Sequence, residues 1–167
     1  AATDAAAEAL FWQTGVIRAA TLRDMFGVAR LLSDQPLPRG RRVGVVANCP
    51  GPASLCVEAL EAAGMRVEPL AGETRSLLRC AAEPLASNPV TLLPGCGADD
   101  YRHAVEVVLA APEVDALVVV YAPLGPAEAD ELGRSVAAAV EAGRQRGGTG
   151  TPVVASIVGE DLSTAAL

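Results

Sequence analysis

Apolar residues in this chain gather into short runs, and the stretches between the runs carry helical periodicity. Two runs stand out: Val43 to Ala47 (VGVVA), which suits a strand covered on both faces, and Asp115 to Tyr121 (DALVVVY), the clearest strand in the chain. Met65 to Leu70, Pro89 to Leu93 and Val153 to Val158 are shorter or more broken and are expected to be strands as well. The intervening stretches predict helices over about Ala53 to Ala63, ended by Gly64, and over Glu73 to Ala82, stopped by Pro84. Two more helices are expected over Ala98 to Ala111, with Val105, Val108 and Leu109 on one side, and over Ala127 to about Arg146. Ahead of the first run, Asp4 to Gln13 is a short helical stretch ended by Gly15, and Gly15 to Arg18 is extended. Thr21 then caps a helix to Ser33, whose Leu22, Met25, Phe26, Ala29 and Leu32 recur at helical spacing. The segment Gln35 to Gly40 (QPLPRG) reads as a connector.

Strands that alternate with helices imply a parallel sheet joined by right-handed crossovers. The expected fold is α/β, a flavodoxin-like doubly wound sheet of five parallel strands in the order 2-1-3-4-5, with Val43 to Ala47 central. Residues 1–40 are expected to form a helical lead-in and linker packed on the domain, and 41–167 the domain itself. Ligands of such sheets bind beyond the carboxyl ends of the strands where the order reverses. That rule points to the loops Asn48 to Pro52 and Pro94 to Asp99.

Composition narrows the chemistry. The 167 residues are 51% hydrophobic but only 3% aromatic, so the core is built from Ala, Val and Leu. No apolar run approaches the roughly 18–20 residues that span a bilayer, and no basic stretch precedes an apolar segment at the start. The formal charge is −7 and the only Arg cluster is Arg39, Arg41 and Arg42, which speaks against nucleic acid or an anionic membrane as partner. A cytoplasmic location is expected. All 13 basic residues are Arg, which excludes a Walker A lysine, a Schiff-base lysine and the lysine of receiver domains within this chain. Asn48 also stands where a receiver domain needs acids after its first strand. A flavodoxin needs a Ser/Thr-rich phosphate loop and usually aromatics flanking the flavin, and neither is present. Cys49, Cys56, Cys80 and Cys96 form no C-x-x-C pair, and His103 is the single histidine available to join them. They are expected to be reduced packing cysteines, with no metal site. Asp99, Asp100, Glu128, Asp130 and Glu131 lie near helix starts, where they complement the dipole.

The most informative stretch is Asn48-Cys49-Pro50-Gly51-Pro52-Ala53, between the first strand and its helix. Backbone N–H groups at a helix start favour an anion or phosphate, the Asn48 amide can donate, and Gly51 lets the backbone come close. Pro50 and Pro52 each remove a donor, and a plain strand-to-helix turn is the competing reading.

Several segments resemble the NDP-forming acyl-CoA synthetases, relatives of succinyl-CoA synthetase, in the same order along the chain. Leu10 to Arg18 (LFWQTGVIR) is similar to that family's F-x-Q-A-G-V-I-R, and Gln35 to Val43 (QPLPRGRRV) to its Q-P-L-P-x-G-x-R-V. Asn48 to Ala53 aligns with N-A-G-G-P-G, Ala59 to Gly64 with A-L-E-A-A-G, and Asn88 to Leu92 with N-P-V-D-L. The resemblance implies the CoA-ligase domain that follows the phosphohistidine, with that histidine falling just before Ala1. It also implies parent chemistry in which acyl-CoA, phosphate and NDP give acid, CoA and NTP. CoA, ADP/ATP and Mg are the cofactors expected of the parent, and CoA-binding and ATP-grasp domains the expected partners. No catalytic residue is assigned to this chain. Its implied phosphate- or phosphohistidine-binding residues are Asn48, Cys49, Gly51, Ala53, Asn88 and Thr91. Cys49-Pro50-Gly51 stands where the family has A-G-G, Ala53 replaces its final Gly, and Thr91 replaces its Asp. The alternative is a degenerate, non-catalytic regulatory or scaffold domain of a GNAT acetyltransferase fusion.

Overall fold

The run Val43 to Ala47 is buried at every position, as an interior strand covered on both faces must be. In the computed structural model it forms β1 (Val43–Ala47), with parallel neighbours on both edges. The structure describes residues 2–79, 81, 86–93, 95–123, 126–145 and 150–158. Cys80, Pro84, Pro94 and Arg146, singled out from the sequence, lie outside them, as does the side chain of Glu128.

The remaining elements of the sheet domain are α3 (Pro50–Ala62), α4 (Gly72–Leu77), β2 (Val90–Thr91), α5 (Ala98–Ala110), β3 (Ala116–Tyr121), α6 (Pro126–Gln145) and β4 (Val153–Ile157). Helix α3 covers one face of the sheet, where Ala53, Cys56 and Leu60 meet Val43, Val45, Ala47 and Val120. Helices α5 and α6 cover the other, where Tyr101, Val105, Val108, Leu132 and Val136 meet Val46, Val90, Leu117 and Val119. The alternation of Val45 and Val46 between the two clusters is the period-2 pleat of a strand.

Two expectations about the sheet are corrected. Among the described residues it has four strands, not five, in the order β2-β1-β3-β4. Met65 to Leu70 makes only an isolated bridge, Arg66 beside Arg42, because beyond it the Asn88 side-chain amide stands between Glu68 and β1 and takes the next ladder bonds. The second correction is the neighbour of β1. The sequence order placed Pro89 to Leu93 between Val43 to Ala47 and Asp115 to Tyr121, whereas β3 pairs directly with β1, Val43 opposite Ala116 through Ala47 opposite Val120. Strand β2 takes the opposite edge of β1, Val46 opposite Val90 and Ala47 opposite Thr91. Val43 to Ala47 is interior and the sheet is parallel, as expected.

The chain divides into two units, Ala1–Gln35 and Pro36–Leu167. The first holds α1 (Ala2–Thr14) and α2 (Leu22–Asp34). Thr21 starts α2 in a capping box, its hydroxyl accepting from the Asp24 N–H while the Asp24 carboxylate accepts from the Thr21 N–H.

Candidate functional site

The turn after β1 lies at the carboxyl ends of the strands. Cys49 is the N-cap of α3 with extended backbone and no side-chain capping bond, and Pro50 is the first helical residue. A helix start leaves four N–H groups without helical partners. Here Pro50 and Pro52 have none, and the Ala53 N–H is already bonded to the Cys49 carbonyl at 3.2 Å. Within the turn, that leaves the N–H groups of Cys49 and Gly51 for a ligand. A Cβ built on Gly51 would meet nothing within 4 Å, so neither packing nor a left-handed φ requires glycine there.

Asn48 is occupied differently from the donor role read in the sequence. Its Nδ2 donates to the Ala122 carbonyl at 2.9 Å and its Oδ1 accepts from the Ala122 N–H at 2.9 Å. This reciprocal pair ties the end of β1 to the end of β3, across the crevice where the strand order reverses.

Asn88 is not brought to the turn. Its Oδ1 accepts from the Val45 N–H at 3.0 Å, and its Nδ2 donates to the carbonyls of Val43 at 2.9 Å and Glu68 at 2.8 Å. In a parallel ladder the N–H of one residue and the carbonyl two residues earlier bond the carbonyl and N–H of a single partner residue. The Asn88 amide takes that partner's place, filling the edge of β1 between Arg66 and Val90. These contacts lie about 13 Å back along β1 from Asn48, at roughly 3.3 Å per residue. Thr91 is buried and sits opposite Ala47, one residue from the turn.

The loop before α5 flanks the turn on the β2 side. Gly95 there has φ 93°, which only glycine adopts without strain. The Asp100 carboxylate accepts from the Gly97 N–H at 3.0 Å, so α5 opens with acidic Asp99 and Asp100 and its start is already neutralised by protein carboxylates. Tyr101, which helical periodicity could have flagged beside Val105 and Val108, is buried under this edge. Its hydroxyl donates to the Val120 carbonyl at 3.3 Å, and its ring meets Tyr121 edge-on at 5.3 Å between centroids. Burial, with smaller effects from Tyr121 and Cys49, pushes the Tyr101 hydroxyl far above the ordinary phenol range, so it remains a neutral donor. Ala122 contributes only backbone, and no sequence signal marks it.

The cysteines are not alike. Cys49 and Cys56 carry free thiols, and burial pushes the Cys56 thiol up. Cys96 is disulfide-bonded, which corrects the expectation that all four are reduced. Spacing can exclude a tight metal quartet, but it cannot see two cysteines meeting in space. Among the described residues, no three His, Cys, Asp or Glu side chains converge on a point that could hold a metal ion.

The strongest electrostatic pairing lies at the opposite end of the sheet. Asp115 accepts from the Arg42 backbone N–H at 3.0 Å, from Nε at 2.9 Å and from Nη2 at 2.7 Å. The Arg42 guanidinium and backbone together hold the Asp115 carboxyl at about 2. Partial burial opposes the charge of nearby Glu113, but bonds from the Ala71 N–H and the Thr74 hydroxyl hold its carboxyl below the usual range. His103 Nε2 lies 2.9 Å from the Leu77 carbonyl and links α5 to α4.

No family model matches the chain. The alpha subunit of ADP-forming acetate–CoA ligase II of Pyrococcus furiosus is 34% identical over 115 residues, 68% of this chain and 25% of that protein. The alpha subunit of ligase I from the same organism is 31% identical over 162 residues, 95% of this chain and 34% of that protein. A crystal structure of a Pyrococcus horikoshii protein superimposes with a TM-score of 0.81 at 30% identity, covering 95% of this chain and 36% of that one. The chain therefore spans between 25% and 36% of the length of these relatives. Nearly all of the chain is colinear with ADP-forming synthetase subunits, and the chain belongs to the NDP-forming acyl-CoA synthetase family.

Proposed function

We propose that this chain is the CoA-ligase-like domain of a larger cytoplasmic acyl-CoA synthetase, in which the start of α3 is presented to a phosphoryl group carried by another part of the protein. In the parent, acyl-CoA, phosphate and NDP give acid, CoA and NTP. CoA and nucleotide are held by CoA-binding and ATP-grasp domains, together with Mg. This chain's part is to orient and stabilise negative charge. The observation that carries the reading is the helix start at Cys49–Gly51, with two backbone N–H groups that the helix does not use, at the carboxyl end of an interior strand in a chain similar to ADP-forming synthetase subunits. Of the six residues read from the sequence as phosphate ligands, the proposed site keeps the backbone N–H groups of Cys49 and Gly51. Ala53 and Asn88 are committed elsewhere, Asn48 spends its Oδ1 and one of its two Nδ2 hydrogens on Ala122, and Thr91 borders the site.

One observation favours a second reading. Two prolines and an N–H spent inside the helix leave a poor cradle, as expected of a regulatory or scaffold module that has lost the phosphoryl step, including one fused to an acetyltransferase. Phosphate titration of the labelled chain, read amide by amide, separates the two. The synthetase reading expects shifts at Cys49 and Gly51 with a dissociation constant of about 1 mM or weaker, equivalent to about −4 kcal/mol. Silence of both amides through high phosphate leaves the scaffold reading.

A further inference from the structure

We propose that α2 is a self-association surface, and that two copies of this chain pair through its apolar stripe with the helices antiparallel. Among the described residues of the Ala1–Gln35 unit none is buried, although the unit holds most of the large apolar side chains that the described residues expose. A unit of this size has too little interior to stand by itself. A helix of 13 residues is likewise marginal in water unless its apolar face packs on something. On α2 that face is one stripe, in which Leu22, Met25, Phe26, Ala29 and Leu32 recur at helical spacing. Leu22 is 71%, Phe26 67% and Leu32 50% exposed. The stripe belongs to a different part of the chain from the phosphoryl site, and the inference does not rest on that site.

The charges beside the stripe point to its partner. Arg23 and Asp34 lie on the same flank of α2, about three turns apart. In an antiparallel pair about a two-fold axis, like flanks face each other and every contact occurs twice. With the axis level with Val28 and Ala29, Arg23 of each copy stands opposite Asp34 of the other, and Met25 opposite Leu32. The small Ala29 then falls where the helices cross and lets them approach closely. Arg30 comes level with Gly27 of the other copy, so no like charges oppose. Arg23 has no ion pair among the described residues, and Asp34 has only the exposed Arg30 at 3.6 Å. A parallel pair would turn the Arg23 flank toward Asp24, whose carboxylate already accepts the Thr21 N–H in the cap of α2. The face of α2 is therefore complementary to itself in the antiparallel sense.

The test is sedimentation equilibrium of the full 167-residue chain, as wild type and as variants of exposed α2 residues. The wild type is expected to dimerise with a dissociation constant of about 1–100 µM, as suits a small interface. Phe26→Glu puts a charge into the stripe and is expected to weaken the dimer at least about tenfold. Arg23→Glu and Asp34→Arg each set like charges opposite one another twice, and each is expected to weaken it about three- to tenfold. Glu near the start and Arg near the end of α2 suit its dipole, so neither variant weakens the helix itself. Combined, the two restore opposite charges, and the constant is expected to return to within about threefold of wild type. A role confined to the helix of one copy would show no such reversal. A wild-type chain still monomeric at about 200 µM would overturn the proposal and leave the stripe to a partner of another sequence. A dimer indifferent to Phe26→Glu would place the contact elsewhere, and failure of the double variant to recover would rule out the antiparallel pair. Either result overturns the proposal as well.

Discussion

Replacing Asn88 with alanine should weaken the sheet domain far more than the loss of a half-buried polar side chain at a loop normally does. The Asn88 amide is the ladder partner of the Val45 N–H and the Val43 carbonyl, and those residues are 0% and 4% exposed. Truncation leaves one donor and one acceptor of an interior strand without partners. An unsatisfied buried group costs about 1–3 kcal/mol. The Glu68 carbonyl, on an exposed residue, can turn to water. Some water will also enter the gap at the β1 edge, so Asn88→Ala is expected to cost about 2–4 kcal/mol in all. With a urea slope of about 1–3 kcal/mol per molar, the midpoint should fall by roughly 1–2 M with the slope unchanged. Far-UV circular dichroism is the suitable probe, because Trp12, the single tryptophan, lies in the Ala1–Gln35 unit and reports on that unit instead. Asn88→Asp sharpens the test. It keeps the acceptor for Val45 but turns a carboxylate toward the carbonyls of Val43 and Glu68, so it should be the weaker variant at neutral pH and recover as acid protonates it. A cost for Asn88→Ala within about 0.5 kcal/mol of zero would refute the ladder role.

Other expectations follow from the same contacts. A Cβ at Gly44 would lie 2.6 Å from Val108 Cγ1 on α5, so Gly44→Ala should cost about 1–3 kcal/mol by overpacking, visible as a lowered thermal midpoint. Asp115 has a folded-state value of about 2 against an ordinary 3.8, so its stabilisation is present above the ordinary value and is lost as pH falls from about 4 to about 2. Asp115→Asn should flatten the acid limb of the stability curve in that window and lower stability at neutral pH by at most about 2 kcal/mol, the two proteins converging near pH 2. The isolated chain given acyl-CoA, phosphate and ADP should form no ATP above a no-protein control, and clear turnover would mean that it holds catalytic groups of its own.

The strands that carry the fold were legible because burial on both faces leaves an unmistakable apolar run. VGVVA and the ALVVVY part of the later run became β1 and β3 within a residue of expectation. The capped start at Thr21 and the helix stop at Gly64 were likewise local signals, written in residue types with one conformational use. Strand order was not legible, since periodicity tells a strand which faces are buried but not which edge another strand will take. That is why β3 was placed one strand too far from β1. Met65 to Leu70 misled because MRVEPL alternates acceptably, and nothing in it shows that a distant Asn88 amide will take the edge of β1 beyond the one bridge at Arg66. The site divided along the same line. The turn itself was found from residue types that suit a helix start, whereas the partners of Asn48 are backbone groups 74 positions away and those of Asn88 are 20, 43 and 45 positions away. An Asn amide that mimics a peptide in a ladder looks, in sequence, like an Asn waiting for a ligand.

The central claim is that the α3 start binds a phosphoryl group through a cradle thinned by its prolines. It is tested most directly by comparing the phosphate dissociation constant at the Gly51 amide in wild type and in Pro50→Gly. The variant restores a backbone N–H at the first helical position. A hydrogen bond to a charged group nets about 1.5–3 kcal/mol, and part of it is spent ordering a more flexible turn. The account predicts binding tightened by about three- to tenfold, with shifts still centred on Cys49–Gly51 and with Asn88 silent. An unchanged constant, or a response confined to Arg39–Arg42 in both proteins, would contradict it, leaving surface electrostatics as the source of any binding and the turn as a turn.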